Sequence, residues 1–246
     1  MLILLPPSEG KTAPETGAPV ELDKLVYADA LTPSRRKLLG ALAGLAEVPL
    51  ERAVSMLAVS KGQAGEVAVD AELGSAPAGP AAEIYTGVLY DRLRLPELPK
   101  RAQGRVLIAS ALWGVLRPSD RIPYYRFSAK AKLDGIGGLA AFWRPSLTEV
   151  LPDKEGTLVV DMRSGAYAAA WKPKRSTLVH VRAFSEVKGK RKPVSHMAKA
   201  TRGEVARALL EAKKPPESPE AAAGIAEAAG FAVALSPGYL DVIVSA

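Results

Sequence analysis

The stretch Arg105-Val106-Leu107-Ile108-Ala109-Ser110, running on through Leu112-Trp113-Gly114-Val115-Leu116-Arg117-Pro118-Ser119-Asp120 to Tyr124-Tyr125-Arg126, carries most of the fold information in this chain. Its opening apolar run, bounded by Gly104, reads as a buried strand, because a short continuous run of this kind suits a strand covered on both faces. The residues after it mix Gly, Pro, arginines and a carboxylate. Proteins built from strands and helices place ligand sites where a strand end opens into such a segment. Arg117 and Arg126 offer planar forks for phosphate or carboxylate, and Asp120 is placed to orient one of them. An ordinary loop, with Arg and Asp paired to each other, fits the same residues.

Outward from this strand the pattern alternates without strict β-α-β order. Leu2-Ile3-Leu4-Leu5 is a short apolar strand. Residues 157–162 form another, ending in polar Asp161, Arg163 and Ser164, and residues 177–184 alternate towards a third. Helical composition and spacing mark residues 34–46, 64–73 and 197–212. A helix beginning in a loop is expected over 84–93, after a break at 77–80. Lys213-Lys214-Pro215-Pro216 reads as a linker, followed by an Ala-rich helix over 219–229. Residues 231–235, the Ser236-Pro237-Gly238 turn and residues 239–244 read as a closing hairpin. No internal repeat is visible, so the expected class is α+β, one compact domain over residues 1–246 with a central mixed sheet.

Composition narrows the function. The chain has 246 residues, 48% hydrophobic and 24% charged, an ordinary globular balance. It has no cysteine, which excludes disulfides, thiolate metal sites and a cysteine nucleophile and suits a reducing compartment. Its two histidines, His180 and His196, are too few for a typical zinc site, and no metal or other cofactor is expected. The opening Met1 to Pro7 lacks a basic leader region, and the longest apolar run is too short to span a bilayer. A cytoplasmic protein without membrane association is expected. The formal charge is +7, and residues 172–192, with eight Lys/Arg against Glu186 alone, hold an excess of that same size. Such a tract favours polyanions. For Lys188-Gly189-Lys190-Arg191-Lys192 within it, a solvated hairpin turn is the preferred reading.

Two glycine-bearing motifs bear on phosphate binding. Gly10-Lys11-Thr12 after the first strand invites a phosphate-loop reading, but that motif needs a glycine where Leu5 stands, and Pro6 and Pro7 remove backbone donors. A nucleoside-triphosphatase is therefore excluded, and Ser8 and Lys11 are left beyond a strand end, able to face an anion. Leu133-Asp134-Gly135-Ile136-Gly137-Gly138-Leu139-Ala140-Ala141 fits the hairpin of a helix-hairpin-helix element. Gly135 and Gly137 permit a tight turn, the amides of the next helix can hold a DNA phosphate, and Arg126, Lys130 and Lys132 lie nearby. A plain glycine-rich helix start also fits, with Pro145 kinking that helix. Asp161 is a candidate base or an ion-pair partner of Arg163. His196, at the start of a helix, is a candidate base or a packed neighbour.

Several segments in order resemble the YaaA peroxide-stress family over nearly the whole chain. They are the opening strand with its proline and Lys11, Tyr85-Thr86-Gly87-Val88-Leu89-Tyr90, Trp113 to Asp120 with Tyr125-Arg126, and Phe142-Trp143. Asp161-Met162-Arg163-Ser164-Gly165-Ala166-Tyr167 and Ser195 to Gly203 complete the set. The Pro6-Pro7-Ser8-Glu9-Gly10-Lys11-Thr12 form looks like the actinobacterial-type branch and departs from the shorter Ser-Pro-Ala-Lys form. The resemblance implies a cytoplasmic protein induced in peroxide stress, a single α+β fold, a positively charged cleft and a helix-hairpin-helix that binds DNA. It also implies a link to limiting intracellular iron and oxidative DNA damage.

Two functional classes follow. The leading one is DNA binding without sequence preference, to duplex and also single strands, through Gly135, Gly137 and the cations Lys11, Arg117, Arg126, Lys130, Lys132, Lys199 and Arg202. The rival is an enzyme acting on a small anionic or purine-like ligand. Its pocket candidates are Ser8, Tyr85, Tyr125, Arg163 and Ser164, and its catalytic candidates Asp120, Asp161 and His196. Carboxylates repel phosphate, so Asp120 and Asp161 fit a discriminating pocket or structural ion pairs better than a DNA surface. A deep pocket gathering these groups favours the enzyme, and a basic channel leading to the hairpin favours DNA.

Overall fold

Leu2–Leu5 (β1) is buried at all four positions, so both faces of the sheet are covered there. It lies at the centre of an eight-stranded sheet. A computed structural model of the chain describes residues 1–187, 190–193 and 196–244, with the side chains of 187, 190, 193 and 196 outside the description.

After β1 come the helices Ala28–Ala43 (α1), Leu50–Leu57 (α2) and Glu66–Ala71 (α3). The strand Ala78–Pro80 (β2), the helices Ala81–Ile84 (α4), Val88–Leu93 (α5) and Lys100–Gln103 (α6), and the strand Val106–Ser110 (β3) follow. Gly114–Leu116 (β4), Arg121–Pro123 (β5), the helix Leu139–Val150 (α7), Leu158–Asp161 (β6) and the helix Gly165–Ala168 (α8) lead to Thr177–Val187 (β7) and Lys190–Pro193 (β8). His196–Glu211 (α9), Pro219–Ala228 (α10), Ala232–Ser236 (β9) and Tyr239–Val244 (β10) close the chain.

The main sheet has the order β4-β3-β1-β6-β7-β10-β9, with β8 on β7, and β2 pairs with β5 apart from it. Strands β3, β1, β6, β7 and β10 run parallel, Ile3 lying opposite both Val106 and Val160. Strands β4, β9 and β8 add antiparallel edges. The sheet is therefore mixed and the class α+β, and its one continuous core runs from Leu2 to Val242. Strands β1, β3 and β6 are almost entirely apolar because they have no solvent face on which to alternate, whereas β7 alternates and buries Val179, Val181 and Ala183.

Some expected elements shift. Helix α1 begins at Ala28 and passes through Pro33, where the sequence suggested a start at residue 34. The wholly buried Arg35 anchors it, donating to the carbonyls of Trp113, Val26 and Val115. Those contacts and the buried Leu31, Leu38 and Leu42 outweigh the single backbone bond that Pro33 removes. The expected helix over 84–93 divides into α4 and α5 at Gly87, whose φ is +95°. The break at 77–80 contains β2, and α2 was not anticipated.

The helix-hairpin-helix expectation is corrected. Gly135 and Gly137 take φ of +73° and +71° and lead into α7, as the motif requires, but no helix precedes them. From Tyr125 to Leu133 the chain is irregular. It buries Tyr125, Phe127, Ala131 and Leu133 by tucking apolar side chains into the core, which leaves no helical turn to form the first arm. What remains is a glycine turn and a helix start.

Candidate functional site: a basic cleft at the ends of the central strands

Strand β1 stands where the chain order reverses: β3 docks on one side of it and the later β6 on the other. The carboxyl ends of strands at such a switch point leave a crevice, because the connections depart in opposite directions. Here the loops after β1 and β6, the start of α5 and the exposed face of α9 enclose a cleft of about 590 Å³. Lys11, Arg126, Lys130, Lys199 and Arg202 line it, with Glu9 as the one carboxylate among its lining residues. Ser8, Ser164, Tyr90 and Tyr167 add hydroxyls.

Lys11 is held by its backbone. The 10–12 segment pairs with 84–86 through Thr12 N donating to the Ile84 carbonyl (2.9 Å) and Thr86 N to the Gly10 carbonyl (3.1 Å). Its Nζ donates to the Ser8 carbonyl at 2.7 Å and lies 4.5 Å from the Tyr125 ring centroid and 5.8 Å from that of Tyr85. Burial and then the Arg126 charge lower its pKa to about 8. Arg126 in turn donates to the Glu9 carbonyl at 2.6 Å.

Behind this surface lie two acids that the sequence did not mark. Asp70 is buried and accepts from the Arg126 backbone N–H at 2.7 Å, while its Oδ2 has no partner. Burial pushes its carboxyl up to about 7, against the pull of the Arg126 amide. Glu66 accepts from the Tyr124 hydroxyl at 2.9 Å and leaves Oε2 unpaired. Both sit on α3, in Ala/Val-rich surroundings where a lone acid ordinarily signals a solvated face. No local pattern reveals that Asp70 is buried and Glu66 half-buried.

Tyr85 and Tyr125 form a buried hydroxyl chain with Ser110, at 2.7 Å and 2.8 Å. Burial raises both phenol pKa values, so they are neutral hydrogen-bonding groups. They lie under Lys11 rather than on the cleft wall.

The remaining expected residues separate from the cleft. Asp120 is buried and accepts from the backbone N–H groups of Val26 and Arg117 at 3.1 and 2.9 Å, fastening the turn between β4 and β5. Arg117 is exposed outside the cleft. Asp161 and Arg163 form a buried bidentate pair at 2.8–2.9 Å, and Arg163 also donates to the Trp171 carbonyl. The Arg117–Asp120–Arg126–Asp161–Lys199 pocket is therefore not assembled: Arg126 and Lys199 alone of these five reach the cleft. The His196 side chain lies outside the described residues, as do Lys188 and Gly189 of the basic turn. Lys132, Gly137 and Lys130 line a neighbouring groove of about 560 Å³, and Lys130 is shared between groove and cleft. No His/Asp/Glu cluster able to hold a metal ion occurs among the described residues, and no helix among them is long and apolar enough to cross a membrane.

Fold and site together define a single α+β domain whose central parallel strands end in a strongly basic cleft. The sequence profile of peroxide stress protein YaaA matches residues 1–234. A UPF0246 protein of Streptomyces coelicolor is 47% identical over 225 residues, 89% of this chain and 86% of that one. A UPF0246 protein of Corynebacterium glutamicum is 37% identical over 247 residues, 99% and 98% of the two chains. An uncharacterized protein of Campylobacter jejuni is 30% identical over 211 residues, 82% of each. The chain belongs to the YaaA peroxide stress protein family.

Proposed function

We propose that this protein binds nucleic acid in the peroxide stress response, holding backbone phosphates in the cleft without reading sequence. The observation that carries this reading is the charge of the cleft: five cations face it against one carboxylate. Cations so placed neutralise phosphates and release condensed counterions, which supplies most of the free energy of non-specific binding. The shared Lys130 joins the cleft to the groove lined by Lys132, Gly137 and Asp134, the last paired with Arg52 at 2.6 Å. There the unpaired amides of the first turn of α7 offer further phosphate contacts.

Small anions fit the same chemistry, but five cations against one carboxylate carry more positive charge than a single phosphate neutralises. Lys130→Glu combined with Lys199→Glu tests the reading, because both side chains are exposed and their reversal leaves the core intact. Fluorescence anisotropy with a labelled duplex should show a loss of affinity of at least tenfold, about 1.4 kcal/mol. Unchanged affinity in a variant with native circular dichroism would exclude the cleft.

A further inference from the structure

Lys11 differs from the other cations of the cleft. Lys130 and Lys199 are exposed and Arg202 donates to the Val181 carbonyl at 3.1 Å. Lys11 instead sits between the Ser8 carbonyl and two buried phenol rings, and the neighbouring Glu9 carboxylate faces Arg126 at 3.7 Å. A surface phosphate clamp needs none of that enclosure. A lysine withdrawn from water beside another cation, yet open to a cavity, has the surroundings of an amine nucleophile.

We propose that Lys11 captures carbonyls: it forms an imine with the open-chain aldehyde of a phosphorylated sugar whose phosphate is held by the cations of the cleft. The inference rests on the reading of the cleft as a phosphate-binding surface. Nitrogen attacks the aldehyde carbon, a C–N bond forms, and the two amine protons leave with the carbonyl oxygen as one molecule of water. No oxidant or reductant is consumed. With a pKa of about 8, roughly one Lys11 in ten is free amine at pH 7, against roughly one in three thousand for an ordinary lysine. The aldehyde has two sources of the same chemistry. It is carried on a nucleic acid strand at an abasic sugar, or on a free sugar phosphate.

The test is reductive trapping with the full chain. Protein is incubated with cyanoborohydride and either a duplex containing one abasic site or 2-deoxyribose 5-phosphate, and the adduct is located by peptide mass mapping. The expected result is an adduct on Lys11, lost in Lys11→Arg, which keeps the charge and cannot form the imine. An adduct from the duplex assigns a strand-borne aldehyde, and one from the sugar phosphate alone assigns the free compound. Adducts confined to Lys130, Lys199 or the amino terminus overturn the proposal. The map of the unaltered chain decides this even where Lys11→Arg fails to fold. Anisotropy on the same duplex separates the two readings. Duplex binding with no Lys11 adduct from either aldehyde overturns the imine and leaves phosphate binding standing. A Lys11 adduct from the sugar phosphate without duplex binding leaves the imine standing and overturns nucleic acid binding.

Discussion

The Lys11 Nζ lies 4.5 Å from the centroid of the Tyr125 ring and donates to the Ser8 carbonyl at 2.7 Å. The ring stabilises the ammonium through its negative face, while desolvation and Arg126 favour the neutral amine. The second influence is larger, and the Lys11 pKa falls to about 8.

Polyanion affinity should therefore fall as pH rises through about 8, where Lys11 loses its proton. Anisotropy with a labelled duplex at fixed ionic strength, from pH 7 to pH 9, measures it. Lys11→Arg keeps its charge throughout and should give a flatter profile. Identical profiles for the two proteins would remove Lys11 from the binding surface.

Asp70 gives a pH dependence of stability with the opposite origin. Its folded pKa, raised to about 7 from 3.8, means the folded chain holds the proton more tightly than the unfolded one. Its contribution is fully present below about pH 4 and is lost as pH rises to about 7. Asp70→Asn keeps an oxygen to accept from Arg126 and removes the titration. At about 1.4 kcal/mol per pKa unit, the variant should gain up to roughly 4 kcal/mol over the parent at pH 8 and much less at pH 4. Urea unfolding at the two pH values measures this, and an equal effect at both would contradict it.

Asp161 and Arg163 are buried together, with side chains 0% and 3% exposed. Asp161→Ala leaves the guanidinium without its counter-charge and should cost about 3–5 kcal/mol of stability. Thermal or urea unfolding reports the loss. A variant of native stability would show that the pair is not structural and would return Asp161 to the list of groups free to act on a ligand.

The turn at Gly135 and Gly137 is tested separately. Both residues hold positive φ with open space around the missing Cβ, so valine meets backbone strain of about 1–3 kcal/mol rather than a clash. The double substitution Gly135→Val, Gly137→Val should weaken duplex binding several-fold while circular dichroism stays native. Full affinity in the folded variant would leave the turn as a plain helix start.

Much of this was legible in the sequence, and the misses have physical reasons. The apolar runs at Leu2–Leu5, Val106–Ser110 and Leu158–Asp161 announce buried strands. Ser8, Lys11, Ser164, Lys199 and Arg202 converge because each follows a strand end or faces out from one helix, which local patterns reveal. The Trp113–Asp120 stretch misled for a different reason. Gly114 has φ +75° and its absent Cβ would stand 2.9 Å from the Trp143 ring, so the motif is a packing constraint. Its Asp120 fastens backbone rather than ligand. Arg35 and Asp70 could not be found locally, since their partners lie 9 to 80 residues away. The hairpin pattern at Gly135 and Gly137 specifies a turn, and the helix before it depends on a segment whose apolar residues serve the core instead.

The most direct test of the account is the salt dependence of duplex binding. Affinity for a labelled duplex, measured by anisotropy from low to physiological salt at pH 7, should fall linearly on a log–log plot. The slope should be roughly −0.9 for each phosphate neutralised, so that four or five engaged cations give about −4. A slope near zero, or no binding at low salt, would contradict the reading of the cleft as a nucleic acid surface.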